Sequence, residues 1–140
     1  MDRMNLIKTR KSVRTFDGRP LSAEKRSKLQ ASIDEIRNPY DIPVSFVWLD
    51  AEAHGLSSPV IAGEHLYIAG KVPRAPHCEE AFGYSFEKHT MPGGAAWDVQ
   101  KIDVGIALCN FMTAAGGRFS INDPGLETPE NIEYIATVTL

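Results

Sequence analysis

Residues 97–115 constrain the fold more than any other part of the sequence. Apolar residues recur there at helical spacing and cover two opposite sides of the helix that this spacing predicts. One stripe holds Val99, Ile102, Ile106 and Cys109, and the opposite stripe holds Val104, Leu108, Phe111 and Ala115. A helix that is apolar nearly all round must be buried, so we expect it in a core or in a subunit interface. Gly105 and Ala107 at its middle would let another backbone approach closely.

The other elements predict an α+β fold. Further helices are expected over residues 2–11, 22–37 and 77–89, and strands over 44–49, 65–72, 118–121 and 134–140. Ser22 is a good N-cap for the second of these helices. Helices and strands do not alternate in a regular βαβ order, which favours α+β over α/β. At 140 residues, the chain fits one domain over 1–140, with Cys78 and Cys109 as buried free thiols.

Basic residues are concentrated at the N-terminal end. Residues 1–28 hold nine of the fifteen Lys and Arg residues but only three of the eighteen Asp and Glu residues. This asymmetry indicates a local anion site or a contact with an acidic partner, and its alternative is a solvated helical face with an intersubunit contact. We expect no nucleic-acid partner, because the rest of the chain is acidic and lacks interleaved basic and aromatic residues.

The sequence gives no sign of a membrane segment. No apolar run approaches the roughly 18 residues that span a bilayer. The N-terminus lacks an apolar signal region, so we expect a cytoplasmic protein. The four histidines (His54, His65, His77 and His89) show no metal-ligand spacing, and we expect no metal site.

Residues 9–16 contain the strongest candidate for a binding site. They lie where a predicted helix gives way to an extended stretch, in which Arg10, Ser12 and Arg14 would point the same way. Two guanidinium groups and a hydroxyl suit a phosphate dianion, because arginine offers fork-shaped, charge-assisted hydrogen bonds. Lys11 would face away from these three side chains. The alternative is an exposed, charged helix end.

The same stretch, continued through residues 17–21, resembles the N-terminal signature of the FMN-dependent nitroreductase family. In that family, a basic–basic–Ser–x–basic stretch binds the phosphate, the ribityl chain and the ring edge of FMN. Other segments also resemble the family, and they cover most of the chain. They are residues 38–39, 42–44, 49–55, 58–61, 67–71, 82–88, 102–107, 123–125 and 133–136.

The resemblance implies a mixed, mainly antiparallel sheet flanked by helices, with a buried central helix. It also implies a homodimer that binds FMN at the subunit interface. NAD(P)H would be the reductant, and a nitroaromatic or quinone-like molecule would be the acceptor. The residues implied to bind FMN are Arg10, Lys11, Ser12 and Arg14, with Arg118 as a further phosphate contact. Arg118 follows two glycines, and its alternative role is that of a cation at a strand edge.

The sequence departs from the family pattern in two places. It lacks the Pro-Ser-x-x-Asn-x-Gln-Pro-Trp segment, whose polar side chains contact the flavin ring, and it looks internally shortened near residues 89–96. The resemblance therefore assigns no catalytic residue. These departures give a second hypothesis, a non-catalytic relative that binds flavin or another phosphorylated ligand, or only dimerises.

Overall fold

The computed structural model describes residues 2–86 and 98–140, which form four helices and four strands. The helices are α1 (Arg3–Thr9), α2 (Ala23–Asp34), α3 (Cys78–Phe86) and α4 (Val99–Ala115). The strands are β1 (Ser45–Asp50), β2 (Leu66–Lys71), β3 (Arg118–Ser120) and β4 (Thr137–Thr139). Every predicted helix and strand within the described residues is therefore present. The predicted shortening near residues 89–96 lies outside them.

The chain divides into two compact units. The first comprises Met1–Arg37 and Pro43–Pro73, and the second comprises Asn38–Ile42 and Arg74–Leu140. The single domain over residues 1–140 stays a prediction.

In the first unit, Trp48 joins the β1–β2 ribbon to α2. The two strands pair antiparallel, with Trp48 opposite Ile68. The indole Nε1–H donates to Oε1 of Gln30 at 2.6 Å, and the guanidinium of Arg26 lies 5.1 Å from the ring centroid of Trp48. One hydrogen bond and one cation–π contact therefore fix the helix on the ribbon. Phe46 to Leu49 are all half-buried, which confirms that both faces of β1 are partly covered.

The limits of α2 follow from its caps. Ser22 Oγ accepts a hydrogen bond from the backbone N–H of Lys25 at 3.3 Å, which confirms the predicted N-cap. The helix ends at Asp34, three residues before the predicted end. There Nη1 of Arg37 donates to the carbonyl oxygens of Asp34 and Ile36 at 2.9 and 2.7 Å. A side chain thus takes up carbonyl groups that a further turn of helix would have bonded.

In the second unit, two glycines set the contact between α3 and α4. A Cβ atom at Gly83 would overlap the carbonyl oxygen of Ile102, and one at Gly105 would overlap the carbonyl oxygen of Glu80. The predicted close approach at Gly105 is confirmed. Ala107 takes no part in this contact and is exposed.

The buried residues of the second unit cluster at this helix contact. They include Cys78, Ala81, Phe82, Ile102 and Cys109, and the two cysteines are free and buried as predicted. The opposite side of α4 keeps Val104 and Phe111 exposed, at 39% and 47%. Within the described residues, α3 covers only one side of α4, so burial of the other side in a subunit interface stays a prediction.

The strands form two small sheets where the resemblance implied one. β1 pairs with β2, and β3 pairs with β4, both antiparallel. A separate parallel bridge joins Thr15 to Ala62. β3 and β4 are only three residues long and belong to the second unit, so they form a ribbon of their own. The mixture of helices and small antiparallel sheets agrees with the predicted α+β class.

We expect Gly105→Ala to destabilise the protein, although alanine is the better helix former. At an open helical position, replacing glycine with alanine would raise the free energy of unfolding by about 1 kcal/mol. Here the added Cβ would overlap the Glu80 carbonyl oxygen, and overpacking of this kind costs about 1–3 kcal/mol. Urea denaturation would measure the free energy of unfolding, with Asp103→Ala, at an exposed position of the same helix, as the control. A Gly105→Ala protein more stable than the parent would contradict the glycine contact.

Candidate functional site

Four of the five predicted site residues lie in one short segment. Arg10 is the C-cap of α1, and its N–H donates to the Leu6 carbonyl oxygen at 2.9 Å. Residues 11–14 follow without regular secondary structure. Residues 10–14, called here the cationic segment, are all exposed. Within the described residues, the side chains of Arg10, Lys11, Ser12 and Arg14 make no hydrogen bond or ion pair, so their donors are free to bind a ligand.

Two other basic side chains of the N-terminal region already have acidic partners. Arg19 pairs with Asp17, and its Nε donates to Oδ2 at 2.7 Å. This hydrogen bond holds the pKa of the Asp17 carboxyl below its usual value. Lys28 pairs with Glu24 at 2.7 Å, one helical turn away. In contrast to Arg19 and Lys28, the cations of the cationic segment have no acidic partner among the described residues.

The end of α1 gives the same cations a structural role. The helix has Lys8 in its last turn and Arg10 at its C-cap. Unpaired carbonyl groups give a helix C-terminus a partial negative charge, which cations stabilise. This is the charged helix end considered in the sequence analysis, and it leaves Ser12 and Arg14, beyond the helix, without such a role.

The backbone just after the cationic segment is held by residues 62–65, called here the clamp. The N–H of Ala62 donates to the Arg14 carbonyl oxygen at 2.9 Å, and the N–H of Phe16 donates to the Ala62 carbonyl oxygen at 2.8 Å. These two bonds form the parallel bridge between Thr15 and Ala62, and they confirm that the chain is extended around residue 15.

The turn at residues 17–20 is tied to the same clamp. Gly18 has a φ of +75°, and Asp17 Oδ1 accepts the N–H of Arg19 at 3.0 Å. His65 Nε2 makes a hydrogen bond with the Gly18 carbonyl oxygen, so this nitrogen carries the proton. The link between this turn and His65 was not foreseen from the sequence.

Arg118 is the fifth predicted site residue. It begins β3, is exposed and belongs to the second compact unit. The N–H of Gly116 donates to the Met112 carbonyl oxygen at 2.9 Å and closes the end of α4, so it is not free for an anion. A role for Arg118 in phosphate binding stays a prediction.

A buried polar group in the second unit was missed by the sequence analysis. Glu80 is fully buried, and its Oε1 lies 3.5 Å from Nδ1 of His77. The Tyr40 ring stacks on His77 with centroids 5.5 Å apart, and burial together with the charge of Glu80 raises the pKa of the Tyr40 hydroxyl. Among the described residues, Glu80 Oε2 and Tyr40 Oη have no hydrogen-bond partner. The glutamate lies in an apolar helix face beside Ala81 and Phe82, which was the signal available in the sequence.

The clamp was also missed. Its signal was a single glycine, Gly63, two positions before the strand predicted over residues 65–72, which is typical of a close backbone approach. The side chains that carry the phosphate hypothesis were thus found, but the backbone that holds them was not.

In residues 2–86 and 98–140, no helix has the length and apolar character to cross a membrane. In the same ranges, no three His, Cys, Asp or Glu side chains are grouped so that they could hold a metal ion.

Comparison with known families identifies the chain. The family model described as "Putative TM nitroreductase" matches residues 2–92, which is more than half of the 140 residues and includes the cationic segment and the clamp. No curated protein and no solved structure matches the chain. Arg118 and α4 lie outside the matched range. The match over residues 2–92 shows that the chain belongs to this nitroreductase family.

Proposed function

We propose that the chain is an FMN-dependent oxidoreductase of nitroreductase type that reduces nitroaromatic or quinone-like acceptors with NAD(P)H. Its family supports oxidoreductase chemistry. The observation that carries the cofactor assignment is the cationic segment, whose polar side chains are exposed and unengaged among the described residues.

The side chains of the segment fit a phosphate group. Arg10 and Arg14 would donate to phosphate or ribityl oxygens, and Ser12 would add a hydroxyl donor. Two guanidinium forks match the oxygens of a dianion better than two ammonium groups would. Lys11 would contribute positive charge from the other side of the chain. Because the segment is exposed, salt screens its charge, and its affinity depends on geometry as well as on charge.

When bound, FMN would supply the redox chemistry, which is the transfer of hydride and electrons between NAD(P)H and the acceptor. The part of this chain would be to anchor the phosphate end. A fixed anchor presents the ring in the same way to both substrates, which lowers the entropy cost of each half-reaction. We assign no side chain to the ring itself.

A second copy of the chain would cover the apolar side of α4. A shallow groove of about 290 Å³ runs along it, lined by Val104, Ala107, Leu108, Phe111, Ile135 and Ala136. Exposed apolar surface of this kind is typical of an interface. Together with a helix that is apolar nearly all round, it supports the homodimer.

A non-catalytic relative is the alternative function. The specific observation in its favour is that the sequence lacks the polar segment that contacts the flavin ring in the family. Such a protein would still bind the phosphate of FMN or of another ligand. It would not pass electrons from NAD(P)H to an acceptor.

The visible absorption spectrum separates the two functions. We expect the purified protein with FMN to show a bound-flavin spectrum that bleaches on addition of NAD(P)H and returns on addition of a quinone or nitroaromatic acceptor. Free FMN at the same concentration is the control. Bound FMN that NAD(P)H fails to bleach would contradict the enzyme and favour the non-catalytic relative.

Arg14→Ala should weaken the binding of FMN far more than that of riboflavin, because only FMN carries the phosphate. A charge-assisted hydrogen bond contributes about 1.5–3 kcal/mol, so the Kd for FMN should rise roughly ten- to a hundredfold. Quenching of flavin fluorescence would measure both Kd values. Arg19→Ala is the matched control, because this nearby exposed arginine is already paired with Asp17. Equal losses of affinity for FMN and riboflavin would contradict the role of Arg14 in phosphate binding.

Phe111→Asp should convert the dimer to a monomer, since it places a charge in the apolar groove, which would be desolvated at an interface. Sedimentation velocity would measure the oligomeric state. Gln100→Asp, at an exposed polar position of the same helix, is the control and should remain dimeric. A parent chain that sediments as a monomer would overturn the proposed dimer without bearing on FMN binding.

A further inference from the structure

We infer that Gly63 is a positioning residue for FMN: it lets the clamp hold the backbone that places Arg14 for phosphate binding. This inference rests on the proposed function, because it deepens the account of the same site. Gly63 itself would touch neither the phosphate nor the flavin.

The first step is the tight contact between Gly63 and the chain after the cationic segment. A Cβ atom at residue 63 would overlap the carbonyl oxygen of Phe16 and lie 3.6 Å from the amide nitrogen of Gly18. The φ of Gly63 is +74°, a conformation that residues with a side chain rarely adopt. Both the space and the backbone conformation therefore require glycine.

The second step is what this contact holds in place. With Gly63 seated against Phe16, Ala62 makes its two backbone hydrogen bonds to Arg14 and Phe16, at 2.9 and 2.8 Å. His65 makes a further bond to the Gly18 carbonyl oxygen. Three bonds thus fix the chain from residue 14 to residue 18, and Arg14 is the member of the cationic segment that this clamp holds directly.

The third step is the effect on binding. Arg10, Lys11 and Arg14 carry like charges within five residues, and no described acidic side chain pairs with them. Like charges repel, so a free segment would spread its cations apart. A backbone that is already fixed avoids much of the ordering cost when a phosphate binds. The resulting gain in affinity applies to a ligand with a phosphate, so riboflavin would not share it.

A purely structural glycine would act differently. Its replacement would lower the stability of the protein and would weaken the binding of FMN and of riboflavin by the same factor. The ratio of the two Kd values is therefore the measurement that distinguishes a positioning role from a structural one.

The experiment compares Gly63→Ala with Gly55→Ala. Gly55 belongs to the same unit and has a φ of +60°, but a Cβ there would meet nothing within 4 Å. The control variant thus carries the same kind of backbone strain without the overlap. Flavin fluorescence gives the Kd values for FMN and riboflavin, and hydrogen exchange gives the opening of the clamp at the Phe16 and Ala62 amides.

For Gly63→Ala, we expect exchange at both amides to speed up by about tenfold or more, because their hydrogen bonds open. We expect the preference for FMN over riboflavin to fall by about fivefold, as preorganisation is lost. Gly55→Ala should leave unchanged the hydrogen exchange of the Phe16 and Ala62 amides and the preference for FMN over riboflavin. His65→Ala removes only the bond to Gly18 and should also lower the preference for FMN over riboflavin. If Gly63→Ala fails to fold, His65→Ala provides the test.

Two failures are distinguishable. If the parent prefers FMN and the folded Gly63→Ala and His65→Ala variants keep that preference, the positioning role is overturned and the proposed function stands. If the parent binds FMN and riboflavin equally, phosphate binding by the cationic segment is overturned, and the positioning role of Gly63 is overturned as well. Unchanged exchange at Phe16 and Ala62 in Gly63→Ala would also overturn the clamp.

Discussion

Close approach of a backbone carbonyl to a glycine sets the packing in both compact units. In the second unit, Gly83 and Gly105 let α3 and α4 meet backbone to backbone, and the buried residues gather around that contact. In the first unit, Gly63 admits the Phe16 carbonyl group and thereby closes the parallel bridge. Both contacts depend on the absence of a Cβ atom, so replacing the glycine with alanine would disrupt them.

The candidate site combines exposed, unengaged side chains with a backbone that is held by hydrogen bonds. Arg14 is exposed and unengaged among the described residues, while its carbonyl group is bonded to Ala62. Long cationic side chains at a surface pay an entropy cost when they bind, and a fixed backbone keeps that cost to the side chain alone. This division explains how a surface segment in water, where charge is screened, would still favour a phosphate.

Sequence reasoning succeeded where the signal is local. The cap at Ser22, the end of α4 and the close approach at Gly105 follow from propensity and periodicity. It failed where backbone groups distant in sequence meet, as at Ala62, because hydrogen bonds between main-chain atoms leave no side-chain pattern. The burial of Glu80 was missed for a related reason: a carboxylate within an apolar helix face is read as exposed by default.

The role proposed for the cationic segment is recognition of the phosphate of FMN. NMR of the parent chain, labelled with ¹⁵N and titrated with FMN and then separately with riboflavin, would test this role. We expect FMN to shift the amide resonances of residues 10–16 and the side-chain Nε–H resonances of Arg10 and Arg14, and riboflavin to leave them nearly unchanged. Equal shifts with both ligands, or FMN shifts confined to other residues, would contradict it.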